Sequence, residues 1–464
     1  MSTLWSLIAA SLPGVASLGV PMSTVDLAYH LRAGAVTLRE GAPLTRDLFT
    51  FTAAGAPWLN QQWGAQVLLR IAFDAWAWAG LAVLRAALIS GTYLLLLMGC
   101  RERGLRAREA AFLTAGGFVL AAPYLGMRPQ LFGVLLFAAV LRILDARGRK
   151  PAALWLLPPL AALWSNLHGS FPVGLALIAI AALEDLRDRT RLRRSLVACA
   201  LSVLGTLANP FGVRVWSYAF GLTTNPVISR AVTEWAPPDA RTIPGALFFA
   251  SLFAFAAWLA LKPTRAAWTT VLKAGLLASL GLIAVRGVVW WAIALPVLIA
   301  EAQAPAPLAP ATSPTSSERS RANLVVMAVL TVVAILFLGR WPGALGSDLV
   351  STAPGGITHA LRAALEPGDR VFNAQIWGSW FELALPDNPV FVDSRIELFP
   401  EEIWDEYFAV SNGREGWQEI LDRWGVQAVA ADREQQDGLI PRIHRDPGWR
   451  LVYEGRDGLV FVRA

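Results

Sequence analysis

Charged side chains are scarce in this chain: Asp, Glu, Lys and Arg make up 16% of its 464 residues, where water-soluble domains carry roughly 25%. Apolar residues fill the gap, at 55% of the total with a mean hydropathy of +0.48. Such a composition cannot cover a soluble surface, and many of its apolar stretches approach the roughly 20 residues a helix needs to cross a bilayer. Cysteine is nearly missing too. Cys100 and Cys199 both fall in apolar stretches, so no disulfide framework is implied. There is no His-Glu-x-x-His, no Cys-x-x-Cys, no Walker A loop and no Gly-x-Ser-x-Gly, so the signatures of zinc proteases, zinc ribbons, P-loop enzymes and serine hydrolases are all missing. The net charge of +6 is no nucleic-acid signature, because the basic residues lie between apolar stretches and form no single patch.

What is present is a series of candidate spans: 4–20, 78–99, 109–126, 129–144, 152–167, 170–184, 195–209, 244–261, 268–285, 287–301 and 323–340. The first has no basic n-region and reads as a retained span, with a cleaved signal as the alternative. Basic residues gather in alternate connections: Arg101, Arg103, Arg106 and Arg108; Arg147, Arg149 and Lys150; Arg187 to Arg194; Lys262 and Arg265; Arg319 and Arg321. The positive-inside rule puts all five in the cytoplasm. The N-terminus is then cytoplasmic, and the loop 23–77 and everything after Arg340 are outside. Residues 301–322, rich in Pro, Ala and Ser, read as a cytoplasmic linker. From 346 to 464 the texture is that of a soluble domain, with strands at Arg370–Asn373, Pro389–Asp393, Val426–Ala430, Arg450–Tyr453 and Leu459–Val462, and helices around Glu401–Val410 and Gly416–Trp424. The expected fold class is a polytopic α-helical membrane protein of about eleven spans in the plasma (inner) membrane, with a core over 1–300, a last span at 323–340 and a C-terminal extracytoplasmic α/β domain.

The stretch Ser23–Trp63 is too polar for lipid and too rich in Leu, Phe and Trp for a free linker. If Val25–Leu38 is helical, Asp26 and His30 share a face, as a general base and its neighbour would. Ser23-x-x-Asp26 also fits a capping box, in which the acid only ties up an amide. Further on, Gln66–Trp78 carries Arg70 and Asp74 at i,i+4 spacing and reads as an amphipathic helix at the outer interface.

With that orientation, the polar residues at span ends fall on one side. Asn60, Gln61 and Gln62 close the first outer loop. Arg128 and Gln130, Asn166 and His168, Asn209, Glu234 and Trp235, and Arg286 all sit at outer ends, whereas the cytoplasmic connections read as plain basic anchors. Each has a bland explanation. The arginines can snorkel, Asn209-Pro210 can stop a helix, and His168 can be a satisfied turn residue. The bland explanations do not predict one-sidedness, which favours a cavity open to the outer face. An acid on an outer loop, arginines suited to phosphate and aromatics suited to a sugar face fit glycosyl transfer from a polyprenyl-phosphate carrier. Asp26 would take the acceptor proton, and Arg128 and Arg286 would hold the donor phosphate.

The Arg-Pro-Gln, Asn-Leu-His-Gly and Asn-Pro-Phe-Gly motifs resemble those of a group of bacterial multispan membrane proteins, and Val25-Asp26-Leu27-Ala28-Tyr29-His30, followed by Trp58-Leu59-Asn60-Gln61-Gln62-Trp63, carries a second resemblance. The layout resembles the GT-C superfamily of membrane glycosyltransferases, particularly bacterial relatives of dolichyl-phosphate-mannose–protein mannosyltransferases. Asp26 stands where those enzymes carry their acidic motif, although many have two adjacent acids there. Asn60-Gln61-Gln62 stands where many carry His-Pro-Pro. The resemblance implies a lipid-linked sugar donor and an outer acceptor, whether glycan, lipid or protein. In the C-terminal domain, Asp393 and Arg395 read as a salt-bridge ladder on a strand or as the rim of a sugar site, with Trp377 and Trp380 as stacking platforms. No metal-ligand cluster is spaced in the sequence, and a divalent ion shared by Asp26 and Glu234 is left open. The other readings are a transporter or flippase for lipid-linked saccharides and a non-catalytic membrane scaffold.

Overall fold

A computed structural model describes residues 2–224, 233–262, 265–303, 316–341 and 349–464. The expected cytoplasmic linker lies for the most part outside the described residues. Two compact units emerge. One consists of Pro21–Trp78 with the described part of Trp341–Ala464; the other holds nearly all the remaining described residues. The stretch 21–78 therefore groups with the C-terminal residues and not with the helical unit.

In the helical unit, each of the eleven apolar stretches falls on a helix. Among the described residues, three helices are long and apolar enough to cross a membrane: Trp63–Glu102, Ile243–Leu261 and Val285–Ala302. Val288–Ala302 is hydrophobic on every side and buried along nearly its whole length, as expected of a helix surrounded by others. It packs on Ala107–Ala121 and Trp268–Ile283. Gly117 allows the first of these contacts, because a Cβ there would meet Pro296 at 2.9 Å and the Ala292 carbonyl at 3.0 Å. Helix Trp63–Glu102 is broken at Trp76 and Ala77, whose backbone is non-helical. The amphipathic segment read in the sequence ends at that break, and its Arg70–Asp74 pair is formed at 2.7 Å.

The other unit is built on a four-stranded mixed sheet. Its strands are β3 (Arg370–Asn373), β4 (Val426–Ala431), β5 (Trp449–Gly455) and β6 (Gly458–Arg463), in the order β3-β4-β6-β5. β3 and β4 run parallel, and β5 and β6 form a hairpin closed by Gly458 at φ 131°. A short parallel pair, β1 (Met22–Ser23) with β2 (Val350–Ser351), joins the two ends of the unit. The strand expected at Pro389–Asp393 forms only single bridges, Val390 to Val371 and to Thr50. The segment is still paired through its backbone, with the Val371 N–H donating to the Pro389 carbonyl and the Phe391 N–H to the Val371 carbonyl, each at 3.0 Å, and the Asn373 side chain adds bonds to the Val392 carbonyl and the Phe391 N–H. Helix Gln375–Ala384 lies along helix Thr24–Glu40. Tyr29, Ala33, Val36, Leu44, Phe49 and Trp58 make a shared core with Leu398.

Candidate functional site

Helix Thr24–Glu40 forms where its composition favours it, begun by Ser23, whose hydroxyl accepts from the Val25 N–H at 3.4 Å, and ended by Gly41 at φ 69°. Asp26 is half-buried in the first turn, and His30 is buried one turn later. The imidazole Nδ1 of His30 lies 3.3 Å from the Gln66 amide. Gln66 in turn exchanges two hydrogen bonds with Asn60, at 2.7 and 2.8 Å. Asn60 therefore supports the histidine through Gln66 and does not line a cavity by itself. Gln66 had no motif to mark it. Its backbone comes so close that a Cβ on Gly34 would sit 2.2 Å from its carbonyl oxygen, so the crossing depends on a glycine. Gln61 is buried beside this network and Gln62 is half-buried.

Asp393 and Arg395 form no surface ladder. Arg395 is fully buried and is reached by three carboxylates. Its Nε donates to Asp393 at 2.9 Å, and one guanidinium nitrogen reaches Asp47 at 2.7 Å and Glu382 at 3.5 Å. Trp58, Phe49 and Tyr29 surround the same guanidinium, with ring centres at 4.6, 5.1 and 5.7 Å. Three buried carboxylates against one cation leave an excess of negative charge. Burial, then the charge of Asp393, pushes the Glu382 carboxyl well above its usual range. Burial alone would raise Asp393 as well, but the adjacent Arg395 outweighs it and holds Asp393 low. Of Glu382 and Asp393, Glu382 is therefore the one that takes up a proton more readily. Trp377 and Trp380 are also buried. Trp380 donates to the Thr358 hydroxyl at 2.8 Å and stacks on Trp78. Their faces are spent inside the unit, which corrects the reading of them as open stacking platforms and of Asp393 and Arg395 as a rim.

The helical unit gathers the other candidates. Arg128 precedes Pro129 at the start of helix Gln130–Ala146 and pairs with Glu234 at 2.5 Å, each about one-third exposed. Arg286 sits in a single 3-10 turn, Val285–Gly287, between two helices. Gly287 is required there, since a Cβ would meet the Leu280 carbonyl at 2.0 Å. The Val285 N–H donates to the Ala236 carbonyl at 2.9 Å, which brings Trp235 under the Arg286 guanidinium at 4.5 Å from the ring centre. Gln130 reaches the Arg286 carbonyl at 3.5 Å. Five residues that are dispersed in sequence thus form one half-exposed cluster of two guanidiniums, one carboxylate, one amide and an indole. The remaining three have local tasks. Asn166 donates to the Ala162 and Ala208 carbonyls at 2.8 and 2.9 Å. His168 Nδ1 lies 2.7 Å from the Ser170 hydroxyl, which also accepts from Trp164. Asn209 accepts from the Phe211 N–H at 2.8 Å and so caps the turn after its helix.

The basic ends of the helices are more than plain anchors. Lys273 lies between Glu184 at 2.9 Å and Glu301 at 2.6 Å, Arg103 pairs with Asp145 at 2.7 Å, and Arg147 pairs with Glu184 and Asp185. Acids hidden in apolar stretches neutralise the arginines, as burial demands. Among the described residues no three His, Cys, Asp or Glu side chains are grouped to hold a metal ion, and Glu234, considered for a divalent ion, already faces Arg128.

No protein-family model and no curated protein matches the sequence. Solved structures do match in fold. The oligosaccharyltransferase AglB from Archaeoglobus fulgidus, in complex with an inhibitory peptide and dolichol-phosphate, superposes with a TM-score of 0.59 at 12% identity, over 99% of this chain and 74% of that one. ArnT from Cupriavidus metallidurans, bound to undecaprenyl phosphate, gives 0.55 at 14% identity over 100% of this chain and 98% of its own. The arabinofuranosyltransferase AftD from Mycobacteria gives 0.53 at 17% identity over 100% of this chain and 40% of its own. At these identities the comparisons show a fold shared with these transferases.

Proposed function

We propose that the chain is a membrane glycosyltransferase that moves a sugar from a polyprenyl-phosphate-linked donor to an extracytoplasmic acceptor. The observation that carries this reading is the half-exposed cluster of Arg128, Gln130, Glu234, Trp235 and Arg286, in a fold shared with structures that hold dolichol-phosphate and undecaprenyl phosphate. Asp26 is the general base. It takes the proton of the acceptor hydroxyl as that oxygen attacks the anomeric carbon of the donor sugar. The bond from that carbon to the phosphate oxygen breaks, and the electron pair leaves with polyprenyl phosphate. The leaving group gains one negative charge in this step. Arg128 and Arg286 meet that charge where it develops, which lowers the barrier more than it tightens donor binding. Glu234 holds the Arg128 guanidinium in place, and Trp235 does the same for Arg286. His30, held by Gln66 and Asn60, buttresses the face that carries Asp26. In this reading the outer unit and the loop 23–77 face away from the cytoplasm.

The test uses the full chain in lipid nanodiscs with a panel of radiolabelled undecaprenyl-phosphate-linked hexoses and pentoses, and it follows loss of sugar from the lipid. Asp26→Asn is expected to lower turnover roughly 10²- to 10⁴-fold and to leave binding of undecaprenyl phosphate unchanged. An Asp26→Asn chain that turns over at the wild-type rate sinks the assignment of the base. A wild-type chain inert toward the whole panel sinks the donor class.

A further inference from the structure

Helix Thr24–Glu40, which carries Asp26, begins on a contact with a residue 328 positions further along the chain. The Thr24 N–H belongs to the first turn and has no partner within its own helix. It donates to the hydroxyl of Thr352 at 3.0 Å. The Thr24 hydroxyl lies 3.0 Å from the same oxygen and also donates to the Ser351 carbonyl at 3.2 Å. The Ser23 hydroxyl lies 3.3 Å from Thr352 Oγ1, while its own capping bond to the Val25 N–H is long, at 3.4 Å. The backbone beneath is paired as well, with the Met22 N–H donating to the Leu349 carbonyl at 2.8 Å and β1 running beside β2. Thr352 pays for its place with strain. Its φ is +65°, a region that β-branched residues rarely enter and keep only where the surroundings over-determine it.

We infer that Thr352 is a positioning residue for the proposed transfer: its hydroxyl holds the first turn of the Asp26 helix and thereby fixes where the carboxylate stands. This rests on the reading of Asp26 as the base. It adds that the base is placed by the segment leading into the C-terminal domain, which would otherwise look like a mere connection. Ser23 alone would leave the Thr24 amide to water and the first turn free to fray.

The experiment compares the full-length wild type with Thr352→Val, which keeps the shape and branching, and Thr352→Ser, which keeps the hydroxyl, all in nanodiscs. Hydrogen–deuterium exchange of a peptide spanning residues 22–28 is expected to quicken about fivefold in the valine variant, the scale of a lost N-terminal cap, and to stay near wild type in the serine variant. With an undecaprenyl-phosphate-linked sugar as donor, kcat of the valine variant is expected to fall about tenfold with KM unchanged, as for a misplaced catalytic group, and serine is expected to restore it. Unchanged exchange in the valine variant overturns the inference. So does faster exchange with unaltered kcat, or a serine variant as defective as the valine one. A wild type that transfers no sugar from any such donor sinks the transfer reading itself, a result distinct from an exchange rate that does not respond.

Discussion

Arg395 and Arg286 each lie over a tryptophan, at 4.6 and 4.5 Å from the ring centre, and yet they serve different ends. Arg395 is sealed among Asp47, Glu382 and Asp393 and beneath three rings. The three carboxylates it meets all come from its own unit. Arg286 is half-exposed, keeps its ring on one side, and stands in the same cluster as Arg128, whose carboxylate partner Glu234 is itself partly open to solvent. An arginine on an aromatic ring is therefore no guide to function until its carboxylates and its exposure are known. The buried one holds a fold, and the half-open one is suited to an anion that arrives from outside.

The sharpest way to break this comparison is to remove the buried guanidinium. Arg395→Met leaves three acids in a dry site, and we expect a loss of about 3–5 kcal/mol, seen as failure of the unit that holds the C-terminal sheet to survive limited proteolysis. A folded Arg395→Met chain with a wild-type melting temperature would show that the cluster is not what holds the loop to the domain. At Arg286 the expectation is reversed. Arg286→Ala should leave the melting temperature nearly unchanged while transfer from an undecaprenyl-phosphate-linked sugar falls about 10²-fold; equal loss of stability and activity would put Arg286 in the same class as Arg395. The smallest effect is expected at Glu382. Its carboxyl is raised above the ordinary 4.5 by burial and by Asp393, so the stability it contributes is fully present below about pH 4.5 and is lost as pH rises through its raised value. Asp393, held low by Arg395, acts at the acid end, where stability is lost as pH falls through its depressed value. Glu382→Gln should therefore flatten the decline in melting temperature on the alkaline side and leave the acid limb in place. A variant that keeps the alkaline slope would locate the proton elsewhere.

Much of the local structure was legible. The helix expected over Val25–Leu38 forms behind Ser23, and the Arg70–Asp74 pair follows from i,i+4 spacing. Of the polar residues grouped at span ends, Arg128, Gln130, Glu234, Trp235 and Arg286 come together in the structure. What escaped the reading depends on long-range contact. Asp47 looks like a turn residue, and it does hold the Phe49 and Thr50 amides, but nothing in its neighbourhood announces Arg395. Glu382 sits in an ordinary helical context. Glu184 and Glu301 lie at the ends of apolar stretches, where they look like strays until Lys273 is seen between them. Trp377 and Trp380 show the opposite failure: tryptophans near a membrane suggest an interface or a sugar platform, whereas a helix laid against Thr24–Glu40 turns them inward. Asn166 and Asn209, grouped with the cavity by position alone, spend their amides on neighbouring backbone.

The quartet of Asp47, Glu382, Asp393 and Arg395 also constrains how this sequence can drift. Losing the arginine strands the acids, and losing Asp393 leaves the Nε of a buried guanidinium without its acceptor, so single steps away from the quartet are costly. Escape to an apolar core requires several changes at once, at sites more than three hundred positions apart. Related chains should therefore divide into those that keep all four residues and those that keep none. The quartet would behave as a two-valued inherited character, traceable across sequences too divergent to align elsewhere.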